Sequence, residues 1–268
     1  MKKKNIITLL FLIALIIAVL TVALFKKPAS KEGDNSSLPI PSNTSEVSSV
    51  SSASSPSSEV YKSESEVTPS KEENNNTVTG NALFIGDSRT VGLMEYAKIT
   101  DADFFCNVGM SVYNINKKTV SVPNIGKVTF TELISNKKYS KIYIMLGINE
   151  VGYETKTTVS KYSALIDFIK EKQPDAAVFI EANLHISKKR SDSDKTVNNA
   201  AIDKLNAELE KLSDGKTVFY IDANTVFDDG AGNLDADKTA DGTHLYAKYY
   251  AEWGEWIIGQ TALLVEKG

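Results

Sequence analysis

Five residues at four points along the chain are of the types that acyl transfer requires. Ser88 stands in Gly86-Asp87-Ser88-Arg89, Gly109 in Asn107-Val108-Gly109-Met110-Ser111, Asn149 in Gly147-Ile148-Asn149-Glu150, and Asp241 and His244 in Asp241-Gly242-Thr243-His244. A serine hydroxyl is a weak nucleophile until a base takes its proton, and the base works best when a third group fixes its tautomer. Asp241 and His244 lie three apart on one loop, so the carboxylate can meet one ring nitrogen and leave the other facing a nucleophile. In that arrangement Ser88 attacks, His244 takes and returns its proton, and Asp241 stabilises the imidazolium. The main-chain N–H groups of Ser88 and Gly109, with the side-chain amide of Asn149, would converge on the developing oxyanion. Ser88 taken alone has a plainer reading. Asp and Ser are preferred helix caps, and a helical pattern follows directly.

Four distant points must be brought together, and the intervening pattern shows how. Apolar runs at residues 82–85, 103–108, 141–146, 176–182 and 217–221 predict five strands. Between them, Val91, Met94 and Ala97 mark one helix, and Val159, Tyr162, Ile166 and Ile169 a second that stops before Pro174. Val197, Ala201, Leu205, Leu209 and Leu212 mark a third, with Gly215 placed to cap it, and Tyr246 to Ile257 form the last. The expected fold is α/β, a parallel sheet covered on both faces. Ser88, Gly109 and Asn149 then follow the carboxyl ends of the first three strands, where such sheets keep their sites. Residues 117–138 are long for a connection and are expected to contribute to the pocket rim.

GDSRT, the Gly of NVGMS, the Gly and Asn of GINE, and DGTH follow the order of the four motif blocks of the SGNH, or GDSL, hydrolases, and from residue 82 to about 258 the chain resembles that family. The resemblance implies a three-layer α/β/α sandwich around a five-stranded parallel sheet of flavodoxin-like type. It implies a serine ester hydrolase in which Ser88 is the nucleophile, Gly109 and Asn149 complete the oxyanion hole, and His244 and Asp241 complete the triad. One departure is visible: the family often has Asp after the Asn, where this chain has Glu150. An α/β-hydrolase shares the order Ser, Asp, His, but its nucleophile elbow needs Gly two residues after Ser, where Thr90 stands. Family analogy points to small acyl esters, above all O-acetyl groups on a glycan or glycoside. Lipase, thioesterase and O-acyltransferase activities use the same acyl-enzyme, and a silent glycan-binding domain is the reading from a different class. No cofactor is expected, because serine chemistry needs none.

The remaining composition bounds the setting. A net charge of -4 and a pI near 5.4 give no reason to expect a nucleic-acid partner. One cysteine, Cys106, precludes an internal disulfide and a Cys-based zinc site, and within an apolar run it is expected to behave as a small buried hydrophobe. Residues 6–25 are continuously apolar between lysine clusters and long enough to cross a bilayer, so residues 1–27 are expected to be an uncleaved membrane anchor with a cytoplasmic N-terminus. Residues 28–79 are rich in Ser, Glu, Asn and Thr and are expected to be a flexible tether. Residues 80–268 would then form an extracytoplasmic catalytic domain at the cell membrane.

Two further residues are candidates for substrate binding. Arg89 follows Ser88 and would either bind an anionic group of a substrate or pair with a carboxylate at the start of the helix. His185, beyond the fourth strand, is placed to touch substrate or to be satisfied within its loop. The aromatic run from Tyr246 to Trp256 has the helical spacing of core packing rather than of a sugar platform. The acidic residues within 228–241 fit no EF-hand spacing and are expected in a solvated turn.

Overall fold

The computed structural model describes residues 81–265; the expected anchor and tether lie outside the described residues. Five parallel strands form the sheet: β1 (Ala82–Gly86), β2 (Ala102–Cys106), β5 (Lys141–Met145), β6 (Ala177–Glu181) and β7 (Val218–Ile221), in the order β2-β1-β5-β6-β7. All five strands expected from the apolar runs are present, with ends moved by a residue or two. Between β2 and β5 the chain builds an antiparallel hairpin, β3 (Thr119–Val122) and β4 (Gly126–Thr129), and then α2 (Phe130–Asn136). The other helices are α1 (Ser88–Tyr96), α3 (Thr155–Lys172), α4 (Lys188–Ser193), α5 (Asn199–Glu210), α6 (Asn224–Phe227) and α7 (Ala247–Val265). Among the described residues no helix is long and apolar enough to cross a membrane.

Strand residues alternate between two cores. Leu83, Ile85, Phe105, Ile142, Ile144, Val178 and Ile180 meet α2, α3 and α5 through residues such as Phe130, Tyr162, Ile169 and Leu205. The opposite face carries a row of rings, one per strand. Phe104, Phe84, Tyr143, Phe179 and Phe219 stand in register and stack at 5.0, 4.4, 4.9 and 5.3 Å between successive centroids. Each such pair contributes about 1 kcal/mol beyond the area it buries. Leu93 of α1 and Tyr250, Trp253 and Ile257 of α7 close this second core. The result is an α/β/α sandwich, and the aromatic run of the last helix is core, apart from the exposed Tyr246.

One local expectation is extended and another corrected. Residues 117–138 are not simply a rim: Val120 and Val122 of the hairpin and Phe130 of α2 are buried in the first core, and α2 opens with a capping box between Thr129 and Glu132. Gly215 does not cap the helix before it, since α5 ends at Glu210. Its φ of +66° belongs instead to the turn into β7, where Asp214 Oδ1 accepts the N–H groups of Lys216, Thr217 and Val218.

The sheet order places β1 between β2 and β5, so the chain leaves β1 first to one side and then crosses to the other. That reversal opens a crevice at the carboxyl ends of these three strands. The turns holding Ser88, Gly109 and Asn149 all begin there.

Candidate active site

Helix α1 begins at Ser88, but Asp87 supplies the cap: Asp87 is fully buried, and its Oδ1 accepts the Arg89 N–H at 2.9 Å. The Ser88 hydroxyl is therefore free of that duty. It lies 2.8 Å from His244 Nε2, and His244 Nδ1 lies 2.7 Å from Asp241 Oδ2. With a carboxylate accepting from Nδ1–H, Nε2 keeps its lone pair and accepts from Ser88 Oγ–H. The other Asp241 oxygen, Oδ1, accepts the N–H groups of Thr243 and His244, both at 2.8 Å. Burial raises the pKa of this carboxyl, but the donors from the His244 main chain and ring and from the Thr243 main chain outweigh it and hold the value at about 2.

The loop that bears Asp241 and His244 is pinned from three sides. Ser187 N–H donates to Gly242 O at 2.8 Å, Tyr246 N–H to Lys238 O at 2.9 Å, and Arg89 Nε to Thr243 O at 3.3 Å. Of the two expectations for Arg89, the structure keeps the electrostatic part of the second: the buried Asp87 carboxylate at the start of α1 attracts its charge without an ion pair at contact distance. Arg89 is 1% exposed, makes no ion pair among the described residues, and spends Nη1 on Leu184 O at 2.8 Å. A guanidinium sealed in this way does not meet a substrate. It ties the start of the nucleophile helix to the base loop and to the loop after β6.

His185 is likewise withdrawn. It is 8% exposed, with Nδ1 at 2.8 Å from Asp228 and Nε2 at 2.7 Å from Asp203, so neither ring nitrogen is left for substrate. Burial alone would lower its pKa, but the two carboxylates push it up to about 9. Because the folded value lies above the unfolded one, its contribution to stability is complete below pH 6.5 and fades as pH rises through 9. His185→Gln is therefore expected to lower Tm by about 5 °C at pH 6, and the gap to wild type should close towards pH 10 in scanning calorimetry. The other acidic residues of 228–241 serve the turns themselves: Asp229 accepts from the N–H of Ala231 and Asp235 from that of Asp237. Among the described residues no group of three His, Cys, Asp or Glu side chains is arranged to hold a metal ion.

Gly109 and Asn149 lie in two loops that touch each other. Asn149 Nδ2 donates to Met110 O at 3.0 Å, which leaves its second N–H unspent. The main-chain N–H groups of Ser88 and Gly109 have no protein acceptor among the described residues. Gly109 has φ +71°, which favours glycine, and it is exposed. Gly147 is required more strictly, because its φ is +142° and a Cβ there would overlap the Asn183 side-chain amide.

Several residues of this arrangement escaped the sequence reading. Asn183, Asn199, Asn206 and Asn224 are buried and bind the main chain of the segments after β5 and β6, as in Asn183 Nδ2 to Leu146 O at 3.2 Å and Asn206 Nδ2 to Asn183 O at 2.9 Å. Their density in Ala182-Asn183-Leu184 and Val197-Asn198-Asn199 is the only hint the sequence offers. Glu150 is also buried, and burial pushes its carboxyl up to about 7 against the pull of the Val112 N–H. Cys106 is buried as expected, and burial pushes its thiol up to about 12. Beside the Asp241 loop lies a cleft of about 760 Å³, walled by Ser187, Lys188, Arg190 and Asp192 on one side and Thr239 and Asp241 on the other.

A serine, histidine and aspartate in contact at the crevice of a five-stranded α/β/α sandwich define an ester hydrolase of the SGNH fold. Residues 84–251 match the model of the GDSL-like lipase/acylhydrolase family, and the chain belongs to that family. Among solved structures, a GDSL-like lipase from Bacteroides thetaiotaomicron aligns at 17% identity and a TM-score of 0.53, over 70% of this chain and 88% of its own. A Bacteroides fragilis protein assigned as an acylhydrolase aligns at 16% identity and 0.52, over 68% of this chain and 87% of its own. At these identities the likeness establishes the fold. No curated protein matches the sequence.

Proposed function

We propose that this esterase removes small acyl groups, chiefly O-acetyl, from a glycan or glycoside through an acyl-enzyme on Ser88. The observation that carries the reading is the Ser88–His244–Asp241 relay at 2.8 and 2.7 Å. Ser88 Oγ bonds to the acyl carbon as its proton passes to His244 Nε2. The carbonyl oxygen takes the negative charge and is met by the N–H groups of Ser88 and Gly109 and the free N–H of Asn149. His244 returns the proton to the departing sugar oxygen as its bond to the acyl carbon breaks. Water then repeats the sequence on the acyl-enzyme, and Ser88 is restored.

The substrate class has two supports. Ser187, Lys188, Arg190, Asp192 and Thr239, at the edge of the cleft beside Asp241, offer hydroxyl and charged groups to the hydroxyls of a sugar. The apolar residues 6–25 followed by the polar residues 28–79 would hold the catalytic domain at the cell surface, among envelope or environmental glycans. Released acetate from acetylated oligosaccharides, compared with hydrolysis of a p-nitrophenyl palmitate, tests the class. We expect kcat/KM at least about tenfold higher on the acetylated sugar. The reverse preference would assign a lipase. Protease added to intact cells should release the domain, and protection would overturn the outward topology.

A further inference from the structure

Glu150 directly follows Asn149, is 1% exposed, and has no part in the proton transfers above. Sealing an ionisable group in the interior is costly unless it makes specific contacts, so its partners matter. Glu150 Oε1 accepts the Val112 N–H at 2.7 Å, and the main-chain N–H groups of Gly147 and Asn149 in its own turn also stabilise the carboxylate. Asn149 holds Met110 O. Two adjacent residues of the turn after β5 thus grip the loop after β2 at alternate positions, just past Gly109. The two loops belong to strands that flank β1, so their junction lies across the end of the strand that leads to Ser88.

Gly109 itself has little to fix it. A Cβ at this position would meet nothing within 4 Å, and the residue is exposed. Its orientation comes from hydrogen bonds to its neighbours. Asn107 N–H donates to Gly86 O at 3.2 Å and anchors the start of the loop to β1. Asn114 shapes the loop from within, through Gly109 O at 2.9 Å and the Ser111 N–H at 3.0 Å. Beyond Gly109, among the described residues, Asn149 and Glu150 alone tie the loop to the turn after β5 by hydrogen bonds.

We propose that Glu150 is a positioning residue for the oxyanion hole: its bond to Val112 fixes the Gly109 N–H and the Asn149 amide in one frame relative to Ser88. The inference rests on the acyl-enzyme reading and deepens it. It also gives the departure from the family's Asp a purpose, because the longer side chain is the one that spans to Val112. Donors aimed at an oxyanion act on the transition state rather than on substrate binding, so a misplaced frame lowers kcat more than it raises KM.

The test uses the full-length protein with Glu150→Gln, Glu150→Asp and Glu150→Leu, assayed on p-nitrophenyl acetate alongside Ser88→Ala. A second readout is inhibition by a phenylboronic acid, whose tetrahedral adduct with serine places an oxygen in the oxyanion position. Glu150→Gln keeps the acceptor and its reach, and kcat should stay within about threefold of wild type. Glu150→Asp and Glu150→Leu should lose about tenfold or more in kcat, with KM within about twofold and boronate affinity falling in parallel. Unchanged kcat in the Asp and Leu variants would overturn the proposal. So would a kcat loss without a loss of boronate affinity, or a Gln variant as impaired as Leu. If Glu150→Leu does not fold, the comparison of Gln with Asp decides. An active Ser88→Ala would refute the acyl-enzyme reading itself, whereas an inactive Ser88→Ala beside unaffected Glu150 variants would refute only this inference.

Discussion

Alanine at position 88 is expected to lower kcat on p-nitrophenyl acetate by at least about a thousandfold while leaving Tm within about 2 °C of wild type. Both halves of that result follow from the start of α1. The substitution removes one oxygen, and among the described residues that oxygen has a single partner, His244 Nε2 at 2.8 Å. The helix does not depend on it, because Asp87 accepts the Arg89 N–H and caps the first turn. Were Ser88 the cap, its loss would cost about 1 kcal/mol and shift Tm by a few degrees. A kinetic collapse at unchanged stability therefore separates the two uses of a serine at a helix start. Steady-state kinetics and a thermal melt on the same two preparations suffice to measure it.

Asp241→Asn carries the second large effect. Oδ1 of the native residue holds the Thr243 and His244 main chains, a duty that an amide oxygen can keep, so the loop should stay in place. The amide NH2 then faces His244 Nδ1, which must become the acceptor. The ring proton moves to Nε2, and Nε2 can no longer take the proton of Ser88. The expected loss in kcat is about 10³- to 10⁴-fold with KM little changed. The native carboxyl is held at about 2, below its ordinary 3.8, so charge-linked stability from Asp241 is present above 3.8 and disappears only as pH falls through 2. An activity loss on mild acidification must then arise elsewhere. If Asp241→Asn retained most of its kcat, His244 would not need this partner and the proton relay would have to be redrawn.

The two buried faces of the sheet explain why so much of the fold was legible. A strand covered on both sides must be apolar at every position, so Leu83-Phe84-Ile85 and Ile142-Tyr143-Ile144 stand out as continuous runs. Ser88, His244 and Asp241 were legible as a set because a serine nucleophile requires a base and an acid to orient it, whatever the spacing between them, and the structure brings the three into contact. The hairpin of residues 119–129 was less visible, since its four-residue strands alternate only briefly and its turn uses Asn124 at φ 62° rather than a strong glycine pair. The burial of Arg89 was hidden for a deeper reason. Its residue type favours the surface, and its burial depends on carbonyls 95 and 154 positions away, at Leu184 and Thr243. His185 and Glu150 follow the same logic: a lone imidazole or carboxylate declares its role only when distant chain supplies Asp203 and Asp228, or the N–H of Val112. Side chains that do chemistry can be anticipated from chemistry, whereas those that brace them are set by tertiary contacts.

The central claim is that the acyl group passes through Ser88. Rapid acid quench of the protein with excess p-nitrophenyl acetate, followed by peptide mass spectrometry, reads that step directly. An acetyl group on the peptide containing Ser88, formed within the burst of p-nitrophenol and absent from Ser88→Ala, is the predicted result. A burst with the acetyl group on another residue, or turnover by Ser88→Ala at the wild-type rate, would contradict it.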